Sequence, residues 1–218
     1  PEFIDQLKAL HADVFVVVAF RMLPQVVWEI PPLGTLNVHA SLLPDYRGAA
    51  PINHVLINGE TSTGVTTFLI DQAIDTGDIL LRREVAIAPD DTAGSLHDKL
   101  AGAGKALLHE TLEGLAAGNI EPQKQSDMPE GGLHAAPKIF KEDCQIQWDQ
   151  PAEAVHNFIR GLSPYPAAWA HVRLKGKATT AKIYLSRMHT KVSPGAGQIV
   201  QDSKNTLLVG TADHCIEI

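Results

Sequence analysis

The sequence lacks long apolar runs, clustered cysteines and a recognisable targeting segment. No run of about 18 apolar residues occurs, so we predict that no helix spans a membrane. The two cysteines, Cys144 and Cys215, are far apart and match no metal or redox spacing, and we expect both to be buried thiols. Unpaired thiols are typical of a reducing compartment, and we predict a cytoplasmic protein of bacterial type, with an organellar origin as the alternative. No signal peptide is visible, and the absence of Met at position 1 indicates a chain that begins partway through a longer protein.

Several motifs that identify enzyme classes are also missing. No G-x-S-x-G elbow is present, which argues against hydrolysis through an acyl-enzyme. No G-x-G-x-x-G loop or P-loop occurs, so dinucleotide and nucleoside-triphosphate binding have no support. The ten histidines show no H-E-x-x-H or comparable spacing, and we predict no metal. What remains is general acid–base chemistry at a carbonyl group.

Positive charge is scarce overall but concentrated in one region. The net charge of −7 argues against a uniformly basic nucleic-acid binder. Residues 138–191, however, hold nine Lys and Arg against four Asp and Glu, and residues 173–191 hold six basic residues and no acidic one. That stretch is either a solvated face or a surface that meets a polyanion.

The first 118 residues alternate between predicted helices and strands, which indicates an α/β sheet domain. Residues 13–20 are apolar and β-branched almost throughout, as in a strand buried on both faces of a parallel sheet. The long helix predicted at 91–118 has Asp91 or Thr92 as its N-cap and Gly118 at its end. The other elements, in order, are helix 1–10, helix 23–30, strand 35–41, helix 50–59, strand 64–71 and strand 79–89.

The character of the sequence changes after residue 118. Residues 119–140 contain three prolines, two adjacent glycines and no periodicity, which predicts a linker between domain 1–118 and domain 141–218. A predicted helix at 151–162 precedes several short Val-, Ile- and Leu-rich segments separated by turn residues. This pattern is typical of a small β-barrel.

Three polar residues suggest a reactive site. Asn37 and His39 are two apart on a predicted strand, so both point to the same face, about 7 Å from each other. Asn can donate a hydrogen bond to a developing oxyanion, and His can carry a proton near neutral pH. The carboxylate that such a pair requires is expected to be Asp75, placed after a strand at the same carboxyl edge of the sheet, with Asp71 and Asp78 as alternatives.

The string NVHASLLPDYRGAAPI at 37–52, followed by DTGDI at 75–79, resembles the folate-dependent formyltransferases, and the likeness extends over nearly the whole chain. The resemblance implies a partial Rossmann-like sheet domain followed by a small OB-like β-barrel that contacts tRNA. It implies transfer of a formyl group from 10-formyltetrahydrofolate to the α-amino group of initiator methionyl-tRNA in translation initiation. No metal and no obligate protein partner are expected.

The resemblance also implies roles for individual residues. Asn37 and His39 would stabilise the oxyanion, and Asp75 would orient His39 and help to remove the proton of the attacking amine. The DTGDI segment would lie beside the pterin. The loop that lies against the tetrahydrofolate would comprise Ser41, Leu42, Leu43 and Pro44. Arg47, in the same loop, is either a phosphate contact or a solvated side chain.

The chain departs from the family pattern at both ends. An initial strand with its glycine-bearing loop, a basic insertion and the end of the barrel are all missing, which predicts a fragment whose activity alone is doubtful. Related chemistries remain as alternatives, namely glycinamide ribonucleotide formyltransferase, UDP-aminosugar formyltransferase and formyltetrahydrofolate deformylase. A different class of alternative is an inactive module that binds folate or RNA without turnover.

Overall fold

In the structure, a computed structural model, the chain forms two compact units. The structure describes residues 2–18, 22–128, 133–174, 176–203 and 206–218. The first unit comprises residues 1–51, 62–86 and 98–137, and the second comprises residues 52–61, 87–97 and 138–218. None of the helices in these described ranges is long and apolar enough to cross a membrane.

The N-terminal half of the chain forms a mixed sheet with helices between its strands, which confirms the predicted α/β class. The elements are α1 (Glu2–Ala9), β1 (Phe15–Val17), α2 (Gln25–Trp28), β2 (Thr35–His39), α3 (Pro51–Ile57), β3 (Ser62–Leu69), β4 (Ile79–Ala86) and α4 (Ala93–Ala116). The strands pair in the order β1-β2-β3-β4. The β1–β2 pair is parallel, whereas β2–β3 and β3–β4 are antiparallel.

The prediction that the first strand is buried on both faces is wrong. Among the strands that the structure describes, β1 pairs only with β2 and therefore forms an edge of the sheet. Val16 is 41% exposed and Val18, just after the strand, is 59% exposed. A run of β-branched residues favours a strand, but it does not establish what covers that strand. Ala19 and Phe20, the end of the predicted strand, lie outside the described residues.

Strand β3 lies inside the sheet and carries three buried threonines, two of which, Thr66 and Thr67, pair their hydroxyl groups on opposite faces. Thr66 donates a hydrogen bond to the carbonyl of Ser41 over 2.7 Å. Thr67 points to the other face, where its hydroxyl lies 2.8 Å from that of Thr111 on α4. Because side chains alternate along a strand, the loop after β2 covers one face of the sheet and α4 the other.

Helix α4 begins at a reciprocal cap, which decides between the two predicted N-cap residues. The backbone N–H of Ser95 donates to the hydroxyl of Thr92, and the N–H of Thr92 donates to the hydroxyl of Ser95. Thr92 is therefore the N-cap, while Asp91 accepts a hydrogen bond from the Ser95 hydroxyl. Gly118 adopts φ = +67° just beyond the helix, as expected for a residue that ends it.

Residues 138–218, the largest part of the second unit, form a small antiparallel β domain with one main helix. Its elements are α5 (Ala152–Leu162), β5 (Ala168–Leu174), β6 (Lys177–Ile183), β7 (Arg187–Val192), β8 (Ile199–Ser203), β9 (Thr206–Gly210) and β10 (His214–Glu217). Strands β5 and β6 form one antiparallel pair, and the others form a sheet in the order β7-β10-β9-β8. The antiparallel domain is confirmed, whereas its OB-like closure stays a prediction. Lys175, in a predicted strand segment, lies outside the described residues.

The core of the second unit contains the two cysteines. Cys144 and Cys215 are 1% and 0% exposed, and both are free thiols. Burial, followed by the nearby charge of Asp143, raises the pKa of the Cys144 thiol, so that this group stays protonated and unreactive. Trp169 packs against the same core and donates its indole N–H to the carbonyl of Lys141. The buried-thiol prediction is thereby confirmed.

A histidine on α5 makes the stability of the fold depend on pH. The Nδ1 atom of His156 lies 2.9 Å from the hydroxyl of Ser186. Burial, followed by the charge of Arg160, lowers the pKa of His156 below its ordinary value of 6.5. A lowered histidine pKa favours the neutral ring in the folded state, so its stabilising contribution is present above pH 6.5 and is lost as the pH falls.

We expect His156→Gln to flatten that dependence, because Gln keeps a hydrogen-bonding side chain without a titrating ring. Urea denaturation at about pH 7.5 and about pH 5.5, on either side of the ordinary histidine pKa, measures the effect. The loss of unfolding free energy on acidification should be smaller in His156→Gln than in the unchanged protein. His109→Gln, at a side chain that is 72% exposed, should leave the loss unchanged. Equal losses in all three proteins would contradict the assignment.

Candidate functional site

Strand β2 places Asn37 and His39 on the same face of the sheet, as its alternation predicts. Both residues pair with β3, Asn37 opposite Phe68 and His39 opposite Thr66. His39 is 7% exposed, and its imidazole lies nearly perpendicular to the Phe68 ring, with the ring centroids 6.5 Å apart. Asn37 is only partly buried, and its amide forms no hydrogen bond to any residue that the structure describes. Strand β2 thus carries a partly buried amide donor, on Asn37, and a buried imidazole, on His39, on the same face.

The orientation of the His39 ring is fixed by a backbone carbonyl. Its Nε2 atom lies 2.9 Å from the carbonyl oxygen of Tyr46. A carbonyl oxygen can only accept, so Nε2 carries a hydrogen and donates it. Tyr46 has φ = +56°, a left-handed conformation that turns this carbonyl out of the regular path of the loop. The other ring nitrogen, Nδ1, therefore faces the remaining partner of the site.

That partner is Asp75. Its Oδ2 atom lies 3.6 Å from Nδ1 of His39, with the two side chains 15% and 8% exposed, respectively. The same Oδ2 accepts a hydrogen bond from the backbone N–H of Gly48 over 2.9 Å. Because 3.6 Å exceeds an ordinary hydrogen bond, the contact between ring and carboxylate is electrostatic and leaves room for a small adjustment.

Asp75 was predicted at this site, but the structural reason for that prediction was wrong. Strand β3 runs antiparallel to β2, with Leu69 opposite Leu36, so the end of β3 lies at the start of β2 and not at its carboxyl end. Asp75 reaches His39 because it lies in the long loop between β3 and β4, in a left-handed conformation with φ = +56°. The loop, rather than the edge of a parallel sheet, brings the residues together.

Neither of the two rival aspartates contacts His39. The carboxylate of Asp71 accepts hydrogen bonds from the N–H of Ala73 and the hydroxyl of Thr76, which stabilises the loop locally. Asp78 contributes its carbonyl to the N–H of Leu69, and its side chain lines a cavity beside the loop. Of the three candidates from the sequence, only Asp75 shares an ion pair with the histidine.

Gly77 allows this loop to close tightly. A Cβ atom at this position would stand 1.7 Å from the carbonyl oxygen of Leu69. We therefore expect Gly77→Ala to lower the unfolding free energy by at least about 2 kcal/mol, because backbone rather than a flexible side chain must move. Thermal or urea denaturation measures this loss.

Gly102 is a matched control for that substitution. It lies in α4, and nothing stands within 4 Å of the position of its missing Cβ. Gly102→Ala should raise stability by up to about 1 kcal/mol, since alanine favours a helix interior over glycine. A loss of similar size in both variants would contradict the steric role of Gly77.

The loop after β2 is held by its own polar groups and buried side chains. Ser41 is fully buried and donates its hydroxyl to the carbonyl of Asp45. Leu43 is also fully buried, packing with Phe68 and Ile79, and its carbonyl accepts a hydrogen bond from Arg82. Of the four residues 41–44, only Leu42 and Pro44 keep partly exposed side chains. These contacts hold the loop in place, and we call residues 41–44 the ridge.

A cavity of about 520 Å³ adjoins this ridge. It lies between Pro44 and the loop that carries Asp75, which contributes Thr76 and Asp78 to the lining. Its lining also includes Arg47, Lys124 and Gln125. Its size is within the range of small-molecule sites, and its lining mixes apolar surface with charged groups.

Two supporting residues were not identified from the sequence. Tyr46 contributes the carbonyl that orients His39, and nothing in the string DYRG indicates its left-handed backbone. Gln125 lies in a segment without periodicity, yet it is 4% exposed and bonds to Arg47. Arg47 is thus tied to a buried amide, contrary to the interpretation of a solvated side chain. In the described part of the chain, no group of three or more His, Cys, Asp or Glu could hold a metal ion.

Together these groups can serve an addition to a carbonyl. Asn37 and His39 share one face of β2, and the Asp75 carboxylate lies 3.6 Å from the His39 ring. Loop residues next to Asp75, such as Thr76, line the cavity. The amide can stabilise negative charge on oxygen, while the imidazole and carboxylate can accept a proton.

Comparison with known proteins identifies the family. The family model "Formyl transferase" matches residues 1–112, and "Formyl transferase, C-terminal domain" matches residues 138–218. The chain is 49% identical over 220 residues to a methionyl-tRNA formyltransferase of Bacteroides fragilis, covering 100% of this chain and 68% of the relative. It is 49% identical over 203 residues to that of Flavobacterium johnsoniae, covering 93% of this chain and 64% of the relative.

Solved structures share the fold at lower identity. HypX from Aquifex aeolicus in complex with tetrahydrofolic acid superposes with a TM-score of 0.74 at 21% identity, over 100% of this chain and 37% of that one. An N-formyltransferase from Helicobacter canadensis, bound to folinic acid and dTDP-3-aminofucose, gives 0.64 at 21% identity, over 84% of this chain and 64% of that one. With both family models matched along its length, the chain belongs to the formyl transferase family.

Proposed function

We propose that the complete protein transfers a formyl group from 10-formyltetrahydrofolate to the α-amino group of methionine on initiator tRNA. The observation that carries this proposal is the 49% identity to a methionyl-tRNA formyltransferase along the whole chain. The arrangement of Asn37, His39 and Asp75 supports it, because these groups suit attack of an amine on a formyl carbon.

In this proposal the folate lies against the ridge of residues 41–44. Leu42 and Pro44 keep exposed surface for an apolar ring, and the cavity beside Pro44 can take part of the co-substrate. Ser41 and Leu43, whose side chains are buried, would act by holding the backbone of the ridge. The segment Asp75–Ile79 would flank the pterin from the other side. The charged lining suits a ligand that has both a flat ring and polar groups.

The chemical step follows from the three polar groups. The α-amine attacks the formyl carbon, a C–N bond forms, and the formyl oxygen gains negative charge. The amide of Asn37 donates to that oxygen, and Nδ1 of His39, when it carries a hydrogen, can donate as well. The attacking nitrogen must lose a proton, and the Asp75 carboxylate, 3.6 Å from the ring, is placed to receive it directly or through water.

Collapse of the intermediate completes the transfer. The bond between the formyl carbon and N10 of the folate breaks, and N10 takes up a proton, so tetrahydrofolate and formylated methionyl-tRNA leave. The carbonyl of Tyr46 holds the His39 ring in place throughout, because it remains an acceptor for Nε2–H in either charge state. The enzyme forms no covalent intermediate in this scheme.

The second unit would contact the tRNA through its basic strands. Arg173 on β5, Lys177 and Lys182 on β6, and Arg187 on β7 are exposed, and no acidic residue lies between residues 173 and 191. A phosphate backbone is the polyanion that such a surface suits. Within this proposal, residues 1–118 form the catalytic domain, 119–140 the linker and 141–218 the tRNA-contacting domain.

Acceptor specificity tests the proposal. The complete protein is incubated with 10-formyltetrahydrofolate and, separately, methionyl-tRNA or a dTDP- or UDP-linked aminosugar, and kcat/KM is measured for each. We expect efficient formylation of methionyl-tRNA alone. Preferential formylation of the aminosugar, release of formate without an acceptor, or folate binding without turnover would contradict it in favour of the sugar enzyme, the deformylase or the inactive module, respectively.

A further inference from the structure

A single buried side chain joins the two loops that form the site. Gln125 belongs to a short 3-10 helix (Gln125–Asp127) and is 4% exposed, whereas its neighbours Lys124 and Ser126 are exposed. Its side chain thus points inward from an otherwise solvated segment. A buried amide is stable only when its donors and acceptors are paired, and here all of them are.

The two halves of the Gln125 amide contact different loops. Its Oε1 atom accepts hydrogen bonds from Nε and Nη2 of Arg47, over 3.0 and 2.6 Å. Its Nε2 atom donates to the carbonyl oxygens of Asp75 and Gly77, over 3.0 and 2.8 Å. The guanidinium can only donate and the carbonyls can only accept, so the amide has one permitted orientation.

The backbone around Gln125 is itself fixed to the sheet. Gln123 exchanges two backbone hydrogen bonds with Ile79 at the start of β4, each 2.8 Å long. Arg47 is held by a 2.8 Å hydrogen bond from the N–H of Ala136 to its carbonyl. Gln125 therefore connects two anchored segments, and the loop bearing Asp75 lies between them.

Asp75 needs such support because of its backbone conformation. Its φ of +56° lies in the left-handed region, an uncommon conformation that, apart from glycine, is adopted mainly by asparagine and aspartate. The Gly48 N–H holds the carboxylate, and Gln125 holds the carbonyl of the same residue. Two contacts at opposite ends of Asp75 thus determine where Oδ2 stands relative to the His39 ring.

We infer that Gln125 is a positioning residue that keeps the Asp75 carboxylate within reach of His39. The inference rests on the proposed function, because it assigns Gln125 an effect on turnover through Asp75. Gln125 contributes no proton and no charge. Its contribution is the geometry of the loop, and a misplacement of about 1 Å at a reacting group can lower a rate by as much as 100-fold.

The substitution Gln125→Glu removes the donor side of the Gln125 amide and keeps its acceptor side. A carboxylate keeps the acceptor for Arg47, but it loses both donors and sets oxygen against the carbonyls of Asp75 and Gly77. We expect kcat for formyl transfer in the complete protein to fall roughly 10- to 100-fold. Gln123→Glu is the matched control, because it makes the same change at an exposed side chain two residues earlier, and it should keep kcat within about twofold.

A double-mutant cycle with Asp75→Asn decides whether the effect passes through Asp75. Single-turnover rates measured with enzyme in excess give the residual activities. If Gln125 acts by positioning the carboxylate, adding Gln125→Glu to Asp75→Asn should change the rate by less than about threefold, since the group to be positioned is gone. An equal fold loss in both backgrounds would overturn the inference.

The outcomes separate the inference from the proposed function. A wild-type rate in Asp75→Asn alone would remove the catalytic assignment, whereas a slow Asp75→Asn with additive Gln125→Glu would remove only the positioning role. Gln125→Met, which has similar length and adds no buried charge, repeats the cycle if Gln125→Glu does not fold. A failure of both variants to fold, judged by circular dichroism and gel filtration, would make Gln125 a structural requirement and would also overturn the inference.

Discussion

Replacing Asn37 by alanine is expected to lower kcat of the complete protein roughly 100- to 1,000-fold, equivalent to about 3 kcal/mol of transition-state stabilisation. The amide of Asn37 lies on the same face of β2 as His39. In the ground state the formyl oxygen carries little charge, whereas in the tetrahedral intermediate it carries nearly a full one. The lost hydrogen bond therefore affects the transition state far more than the bound substrate. Initial-rate assays with methionyl-tRNA measure the loss.

Folate affinity and stability distinguish this effect from damage to the fold. Among the described residues the Asn37 side chain has no hydrogen-bond partner to lose, so its removal should leave the melting temperature nearly unchanged. Folate binding, measured by calorimetry, should change less than about threefold. Asn119→Ala, at an exposed residue beyond α4, is the matched control and should keep full turnover. Normal turnover in Asn37→Ala would refute the catalytic role of the amide.

Asp75→Asn is the second large effect that we expect, a loss in kcat of roughly 100- to 10,000-fold. The asparagine amide can still accept the hydrogen bond from Gly48, so the loop should keep its shape. A neutral amide cannot, however, accept a proton from the attacking nitrogen or stabilise a protonated His39 ring across 3.6 Å. Single-turnover formyl transfer, which isolates the chemical step, measures the change.

The rival aspartates provide comparisons for this substitution. Asp71→Asn removes charge from a carboxylate that binds only Ala73 and Thr76, and it should lower kcat less than about tenfold. Asp149→Asn, at an exposed residue of the second unit, should have no effect. If Asp71→Asn proves as damaging as Asp75→Asn, the effect belongs to the loop as a whole and not to the carboxylate at His39.

Local sequence patterns predicted the strand, the cap and the polar pair. Alternation along β2 places Asn37 and His39 on one face whatever surrounds the strand, because that follows from backbone geometry alone. Thr92 and Gly118 are recognisable ends of a helix for the same local reason. Features that depend on a few neighbouring residues were thus accessible from the sequence.

Features that depend on distant parts of the chain were not accessible. The direction of β3 is set by which strands pair, so Asp75 was predicted at the site through an incorrect parallel arrangement. Gln125 lies 50 residues from Asp75 in a segment that lacks periodicity. The left-handed backbone of Tyr46 is imposed by tertiary contacts of its loop and has no glycine to indicate it.

The fate of the formyl group during one turnover distinguishes transfer to methionyl-tRNA from release as formate. The complete protein, in excess over methionyl-tRNA, is mixed with 10-formyltetrahydrofolate that carries a labelled formyl carbon, and the products are separated after quenching. We expect the label to appear on the α-nitrogen of methionine in a single phase, with no label in formate, and Asn37→Ala to slow this phase at least about 100-fold. Label that stays on folate or leaves as formate, or equal rates in the two proteins, would contradict this expectation.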